Sequence, residues 1–217
     1  MKLLLTSAGL SNKTISKALE KLVGKPANKT KIVFVPTAAN VEDGIKDWLI
    51  KDLCNLQNLG FAIDIVDISA VDKNVWLPRI KTADVIFFGG GNTFYLMSWL
   101  RKSGLDEVLP ELLKTRVYVG ISAGSMVATK NLRMSTSQKS YAEKVFPLKN
   151  DKGLGFVDFH VRPHLNSKYF PKLRTKFIKE IAKDIPEPVY AIDDNTAIVI
   201  DGKNINVISE GKWVRFS

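Results

Sequence analysis

The order of apolar strands and helices constrains this chain more than any other feature of its sequence. A helical pattern follows nearly every strand in the first half, and one of these patterns covers 41–59. Apolar segments that suit buried strands recur at 2–7, 31–36, 62–66, 84–88 and 117–120. This alternation is typical of a mostly parallel sheet with helices on both faces. Because no repeat, linker or low-complexity segment interrupts it, we expect one α/β domain, residues 1–217, built as a three-layer sandwich.

The sequence after residue 130 follows a different pattern. Residues 131–152 are polar and irregular, as expected for a long surface segment able to border a site. A strand pattern resumes at 154–161, and a helical pattern covers 166–183. Short apolar segments separated by turn pairs then fill 189–216. These segments predict an antiparallel C-terminal extension of the sheet.

The formal net charge of +10 raises the question of a nucleic-acid partner. The lysines are scattered, and Lys13, Lys17 and Lys21 share one face of a predicted helix, which favours a solvated surface. RNA-binding aromatic motifs and zinc-ligand spacings are both absent. A nucleic-acid module would therefore rest on charge alone, and we expect no such partner.

The cysteine content and the length of the apolar segments indicate the compartment. Cys54 is the only cysteine, so the chain has no intrachain disulfide, and its apolar helical neighbourhood predicts a place in the core. No apolar segment approaches the ~18–20 residues needed to span a bilayer. The N-terminal segment is too short for the apolar region of a signal peptide. We expect a cytoplasmic monomer or homodimer with no membrane partner.

A possible nucleophile lies directly after the strand at 117–120. The pattern Gly120-Ile-Ser122-Ala-Gly124 has the form of a nucleophile elbow, in which a serine occupies a tight turn between a strand and a helix. Small residues on both sides let the backbone turn sharply and leave the hydroxyl exposed. An apolar strand before it and a helix-compatible segment after it supply the context that the motif requires. The alternative is a tight turn with an incidental serine.

A serine hydroxyl needs a base to become a nucleophile at neutral pH. Only two histidines are available. His160 lies within a predicted strand, which favours a buried structural role, whereas His164 follows Pro163 where that strand gives way to a loop. Since catalytic groups of open α/β sheets collect at the carboxyl ends of strands, His164 is the better candidate. The third group, an acid that orients the base, is Asp193 or Asp194 at another strand end.

A glycine-rich segment follows the strand at 84–88. Residues Gly89, Gly90, Gly91 and Asn92 precede a helix, and without side chains the glycines let backbone N–H groups approach a substrate closely. The segment lacks the spacing of a phosphate-binding loop. The N–H groups of Gly90 and Ala123 together would form an oxyanion hole.

Three segments in this order resemble the peptidase E group of serine peptidases. They are Gly-Gly-Gly-Asn-Thr-Phe at 89–94, Gly-Ile-Ser-Ala-Gly-Ser at 120–125 and Arg-Pro-His-Leu-Asn at 162–166. That group, family S51, includes α-aspartyl dipeptidases and cyanophycinases. The resemblance implies a class I glutamine-amidotransferase-like fold in which Ser122 replaces the cysteine nucleophile. It implies His164 as the base and Asp194 as the acid, with no metal and no cofactor.

Two segments depart from the pattern of that group. Members often carry glutamate at the acid position, where this chain has Asp193-Asp194-Asn195. Aspartyl dipeptidases carry an aspartate in a loop soon after the elbow helix, but the corresponding segment, 134–140, has no acid and contains Lys139. Lys139 and Arg162 are candidates for contact with a substrate carboxylate. Backbone groups of three further residues are candidates for contact with the substrate: Gly89, Gly91 and Asn92.

The sequence therefore predicts a serine-type peptidase that hydrolyses short peptides through Ser122, His164 and Asp194. N-terminal aspartyl dipeptides are one substrate class that the resemblance implies. Two alternatives remain open: another acyl hydrolase, such as an amidase or esterase on the same scaffold, and a catalytically inactive homologue that binds or regulates.

Overall fold

The central element of the protein is a seven-stranded sheet, seen in a computed structural model that describes residues 1–136 and 148–217. The strand order is β3-β2-β4-β5-β1-β8-β9. Its strands are β1 (Lys2–Thr6), β2 (Lys31–Val35), β3 (Ala62–Ile65), β4 (Val85–Phe88), β5 (Val117–Ile121), β8 (Thr196–Asp201) and β9 (Asn204–Ser209). The first five pair in parallel, whereas β8 and β9 are antiparallel to their neighbours. This confirms the predicted mostly parallel α/β fold.

A three-stranded sheet in the order β10-β7-β6 lies beside the first. It consists of β6 (His160–Arg162), β7 (Val189–Ile192) and β10 (Trp213–Phe216). The helices are α1 (Lys13–Val23), α2 (Asp47–Asn58), α3 (Lys73–Thr82), α4 (Thr93–Ser103), α5 (Leu105–Leu112), α6 (Ala123–Met126), α7 (Arg133–Thr136) and α8 (Thr175–Ala182). No helix in the described part of the chain is both long and apolar enough to cross a membrane.

The alternation of side chains along each strand divides the core into two layers. In β1, Leu3 and Leu5 pack with α3, α4 and α5, whereas Leu4 packs with α1 and α2 on the opposite face. In β5, Tyr118 belongs to the first layer and Val119 to the second. Because both faces are covered, the central residues of these strands are apolar on both faces and do not alternate with polar ones.

Local signals in the sequence explain where the helices begin and end. Asn12 caps α1 by accepting a hydrogen bond from the N–H of Ile15 (3.0 Å), and Gly24 ends the helix in the left-handed conformation. Asn92 caps α4 in the same way, and Gly104 ends it. The second of these caps places the glycine-rich segment directly against the start of α4.

Several predicted boundaries are wrong. Helix α2 begins at Asp47 and not at residue 41, and Gly44, with φ of 82°, interrupts the segment before it. Helix α8 begins at Thr175 and not at 166, since Asn166 has a left-handed backbone (φ 60°) and Pro171 disfavours a helix before it. Regular strand structure in the predicted 154–161 segment is confined to its end, at β6.

Two further expectations are corrected by the packing. Cys54 is exposed on α2 and does not fill the core. The C-terminal segment divides between the sheets, because β8 and β9 extend the large sheet while β7 and β10 join β6 in the small one. The ends of β4, β5, β6 and β7 all lead into segments that carry predicted site residues.

Candidate active site

The turn at Ser122 is one of three places in the described chain where a residue other than glycine has a positive φ. Its φ and ψ are 47° and −105°, a strained combination. The flanking glycines make the turn possible, since a methyl group on Gly120 would lie 2.5 Å from the Gly124 carbonyl, and one on Gly124 would overlap the Phe88 carbonyl. The N–H of Ser122 donates to the carbonyl of Thr6 (3.0 Å). The backbone therefore holds the serine at the end of β5.

Buried polar side chains stabilise this turn through hydrogen bonds to its backbone. The hydroxyl of Ser125 lies 2.8 Å from the carbonyls of Thr6 and Gly120 and accepts the N–H of Thr6 at 2.9 Å. The hydroxyl of Tyr118 donates to the carbonyl of Gly124 (2.5 Å). Burial raises the pKa of Tyr118 far above its usual value, so this phenol stays protonated and keeps donating.

Ser122, His164 and Asp194 form a continuous hydrogen-bonded series. Nε2 of His164 lies 2.9 Å from Oγ of Ser122, and Nδ1 lies 2.8 Å from Oδ1 of Asp194. His164 also has a left-handed backbone, with φ of 63°, and the next residue donates its N–H to the carbonyl of Ile192 (3.0 Å) at the end of β7. The strand ends of both sheets thus bring these three side chains together.

The geometry distinguishes Asp193 from Asp194. The carboxylate of Asp193 accepts hydrogen bonds from the N–H of Asn195 (3.0 Å), the hydroxyl of Thr196 (2.7 Å) and the N–H of Lys212 (2.5 Å). It therefore stabilises the turn between β7 and β8. Asp194 faces His164 instead.

The surroundings of Asp194 keep its carboxylate ionised. Burial acts to raise the pKa of Asp194, but the hydrogen bonds from His164, Ser7 and Ser167 outweigh burial and hold the pKa below its usual value. A charged carboxylate at Nδ1 selects the tautomer that leaves Nε2 free to accept a proton from Ser122.

Ser7 is a site residue that the sequence analysis missed. Its buried hydroxyl donates to Oδ1 of Asp194 (2.6 Å) and accepts the backbone N–H of His164 (2.8 Å). The available signal was its position directly after β1, at the same edge of the sheet as Ser122. Phe170 was also missed, and its ring stacks on the imidazole of His164 with centroids 4.4 Å apart and planes 16° apart.

The glycine-rich segment lies against the serine. A methyl group on Gly90 would lie 3.6 Å from Cβ of Ser122, while Gly91, with φ of 126°, has no room for one against Ala38. Within the described residues, the backbone N–H groups of Gly90 and Ala123 donate no hydrogen bond. Two free donors beside Ser122 are what an oxyanion hole requires.

The other predicted site residues lie in different surroundings. Arg162 is buried in β6, and its Nη1 donates to the carbonyl of Met134 (3.2 Å). Lys139 falls outside the described residues. Asn92 is buried as the cap of α4, while Gly89 is held by a hydrogen bond from its N–H to the carbonyl of Val35 (3.0 Å). Contact of these residues with a substrate stays a prediction.

His160, the histidine not chosen as the base, is buried in β6 with Nε2 3.5 Å from a carboxylate oxygen of Glu187. Burial lowers the pKa of His160, although Glu187 acts in the opposite direction. Among residues 1–136 and 148–217, no cluster of three or more His, Cys, Asp or Glu side chains could hold a metal ion.

Comparison with known proteins defines the class to which this fold and site correspond. The family model of Peptidase family S51 matches residues 3–208. The chain belongs to this family and is a peptidase. An uncharacterized peptidase of Listeria monocytogenes is 30% identical over 175 residues, covering 80% of this chain and 83% of the relative.

Named relatives and solved structures agree with this membership. Peptidase E of Shewanella oneidensis is 28% identical over 90% of this chain and 81% of its own length. A probable α-aspartyl dipeptidase of Drosophila melanogaster is 25% identical over 86% of this chain and 75% of its own. A crystal structure of a candidate peptidase E protein from Listeria monocytogenes superposes with a TM-score of 0.79, at 26% identity over 97% of this chain and 98% of that one.

Proposed function

We propose that the protein is a serine-type peptidase that hydrolyses short peptides through Ser122, His164 and Asp194. The observation that carries this proposal is the hydrogen-bonded series from the serine hydroxyl through the imidazole to the carboxylate, at 2.9 and 2.8 Å. Both distances are those of hydrogen bonds, so Nε2 of His164 can take the serine proton while Asp194 holds the imidazole in place.

The geometry supports the following sequence of steps. Oγ of Ser122 attacks the peptide carbonyl while Nε2 of His164 takes its proton. The resulting imidazolium is stabilised by the ionised Asp194, and the negative oxygen receives hydrogen bonds from the N–H groups of Gly90 and Ala123. The imidazolium then protonates the departing amine, and water, activated by His164, releases the acyl group. These steps use groups of the chain and water, and we expect no metal and no organic cofactor.

The substrate class is a further part of the proposal. The name of one relative, a probable α-aspartyl dipeptidase, supports short peptides as the substrates of this protein. N-terminal aspartyl dipeptides are therefore the first class to test. We expect the enzyme to act in the cytoplasm as a monomer or homodimer, without a nucleic-acid or membrane partner.

The experiment is hydrolysis of a dipeptide panel, including Asp-Xaa, by the wild type and by Ser122→Ala. We expect Ser122→Ala to reduce kcat at least about 10⁴-fold, as removal of a triad nucleophile does. Asp194→Asn should reduce kcat about 10⁴-fold by selecting the wrong tautomer. A matched control is Asp193→Asn, which changes the neighbouring carboxylate that serves the turn.

Outcomes on the same panel separate the alternatives. Hydrolysis of esters or simple amides but not peptides would indicate another acyl hydrolase. A folded protein whose Ser122 is not labelled by a fluorophosphonate, and which cleaves nothing, would contradict the proposal and favour a binding or regulatory homologue.

A further inference from the structure

A carboxylate that the proposed mechanism does not use lies beside Gly9, next to the side chain of the residue that precedes Ser122. Asp52 is on α2, and a methyl group placed on Gly9 would lie 3.5 Å from Oδ1 of Asp52 and 3.0 Å from Cδ1 of Ile121. Gly9 belongs to the loop that follows β1 and contains Ser7, and Ile121 immediately precedes Ser122. Asp52 therefore approaches the active site from the α2 side of the sheet.

Trp48 lies one turn earlier on the same face of α2. Its Cζ3 atom would lie 3.7 Å from a methyl group on Gly90, a position that is also 3.6 Å from Cβ of Ser122. Trp48 is 37% exposed, so part of this residue is accessible to a ligand. An aromatic ring and a carboxylate on one helix thus flank the elbow next to the glycine that we assign to the oxyanion hole.

Asp52 has no partner that explains its position. It is half-buried, yet it makes no hydrogen bond or ion pair in the described parts of the chain. Burial raises the pKa of Asp52 to about 7, and the adjacent Lys51 on the same helix offsets this only in part. A carboxylate removed from water without a partner destabilises the free protein. A cation beside it would remove that cost.

We propose that Asp52 and Trp48 form a subsite for an ammonium group of the peptide substrate. The ammonium group is either the free N-terminus or a lysine side chain on the acyl side of the bond that Ser122 attacks. It would pair with the carboxylate of Asp52 and lie against the indole of Trp48, where cation–π attraction adds to the ion pair. The inference rests on the proposed peptidase function and names the substrate class of the same site.

The subsite also has a consequence for acidic peptides. The side-chain carboxylate of an N-terminal aspartate would be repelled by Asp52, so an Asp-Xaa peptide would engage this subsite only through its α-ammonium group. Blocking that group removes the single positive charge near the scissile bond.

Equilibrium binding tests the subsite without turnover. In the Ser122→Ala background, calorimetric titration would compare Ala-Leu, acetyl-Ala-Leu and acetyl-Lys-Leu, with and without Asp52→Asn. We expect Asp52→Asn to weaken binding of Ala-Leu about 30-fold or more, the lower end of what loss of one partner of a buried charge pair causes. Binding of acetyl-Ala-Leu should not change. If the lysine side chain is the ligand, acetyl-Lys-Leu will lose affinity and Ala-Leu will not.

The matched control is Asp47→Asn, an exposed aspartate in the first turn of the same helix. It should leave the binding of all three peptides unchanged. The subsite would be overturned if Asp52→Asn weakened the binding of all three peptides equally or of none of them. It would also be overturned if the parent protein bound none of the peptides.

Hydrolysis and fluorophosphonate labelling with Ser122 intact separate this inference from the proposed function. Charge-dependent binding in a protein that is neither labelled nor active would retain the subsite and reject the peptidase mechanism. If the protein is labelled and hydrolyses peptides, but Asp52→Asn leaves peptide binding unchanged, only the subsite is rejected.

Discussion

Replacement of Ser7 by alanine isolates the contribution of a side chain that touches no reacting atom. Its hydroxyl links Asp194 (2.6 Å) to the backbone N–H of His164 (2.8 Å) and is fully buried. The variant removes one oxygen and leaves the Ser122, His164 and Asp194 side chains in place. Any loss of rate would therefore come from their altered position.

Two magnitudes follow from these contacts. The N–H of His164 would lose its acceptor in a partly buried position, which destabilises a protein by about 1–3 kcal/mol. The Asp194 carboxylate would lose a donor that fixes its orientation, and a displacement of about 1 Å in an active site can reduce the rate about 100-fold. We expect kcat to fall about 10- to 100-fold in Ser7→Ala, with KM nearly unchanged because no contact with substrate is removed.

The assay is steady-state hydrolysis of the best dipeptide from the panel, together with denaturant unfolding. Ser11→Ala is the matched control, since its exposed hydroxyl donates to the main-chain carbonyl of Asp194 (2.7 Å) and not to the carboxylate. Ser7→Thr keeps the hydroxyl and should recover most of the rate. A Ser7→Ala protein with wild-type kcat and stability, or a Ser11→Ala protein equally impaired in kcat, would refute the reasoning.

Three further predictions concern stability. Burial raises the pKa of Asp52 from 3.8 to about 7, so the stability linked to its neutral form is present below pH ~4 and lost as the pH rises through 7. Between pH 5 and pH 8 this loss is at most about 3 kcal/mol, and Asp52→Asn should remove it in unfolding measured at those two pH values. Gly91→Ala should destabilise the protein by at least about 3 kcal/mol, because its methyl group would overlap the backbone of Ala38. Gly202→Ala, with nothing within 4 Å, should add only the strain of its positive φ, about 1–2 kcal/mol. Denaturant titration of both variants checks this. Tyr118→Phe leaves the carbonyl of Gly124 without its donor and should cost about 1–3 kcal/mol by the same method.

The fold was predictable from the sequence because its signals are local. The parallel strands are mostly apolar, with Asp64 in the edge strand β3 as an exception, and each is followed by a helical pattern. The mostly parallel sheet could therefore be derived without long-range information. The glycines around Ser122 also form a local signal, since the turn requires small residues at fixed spacing. The position of His164 followed from the general rule that functional groups collect at strand ends.

The remaining features depend on contacts between distant segments. Ser7 meets His164 and Asp194 only because β1 lies between β5 and β8 in the sheet, an order that no local pattern specifies. The choice between Asp193 and Asp194 depends on the approach of Lys212 from the loop before β10. The exposure of Cys54 depends on which face of α2 packs on the sheet.

The hydrogen bond between Ser7 and Asp194 joins residues 187 positions apart. While the chain is being synthesised, its N-terminal strand is available early, but the carboxylate that orients His164 emerges only when nearly the whole protein has been made. No nascent fragment that ends before Asp194 contains the complete site. A peptidase built in this way would gain its activity as one of the last events of folding, when cleavage of its own unfolded segments is no longer a hazard.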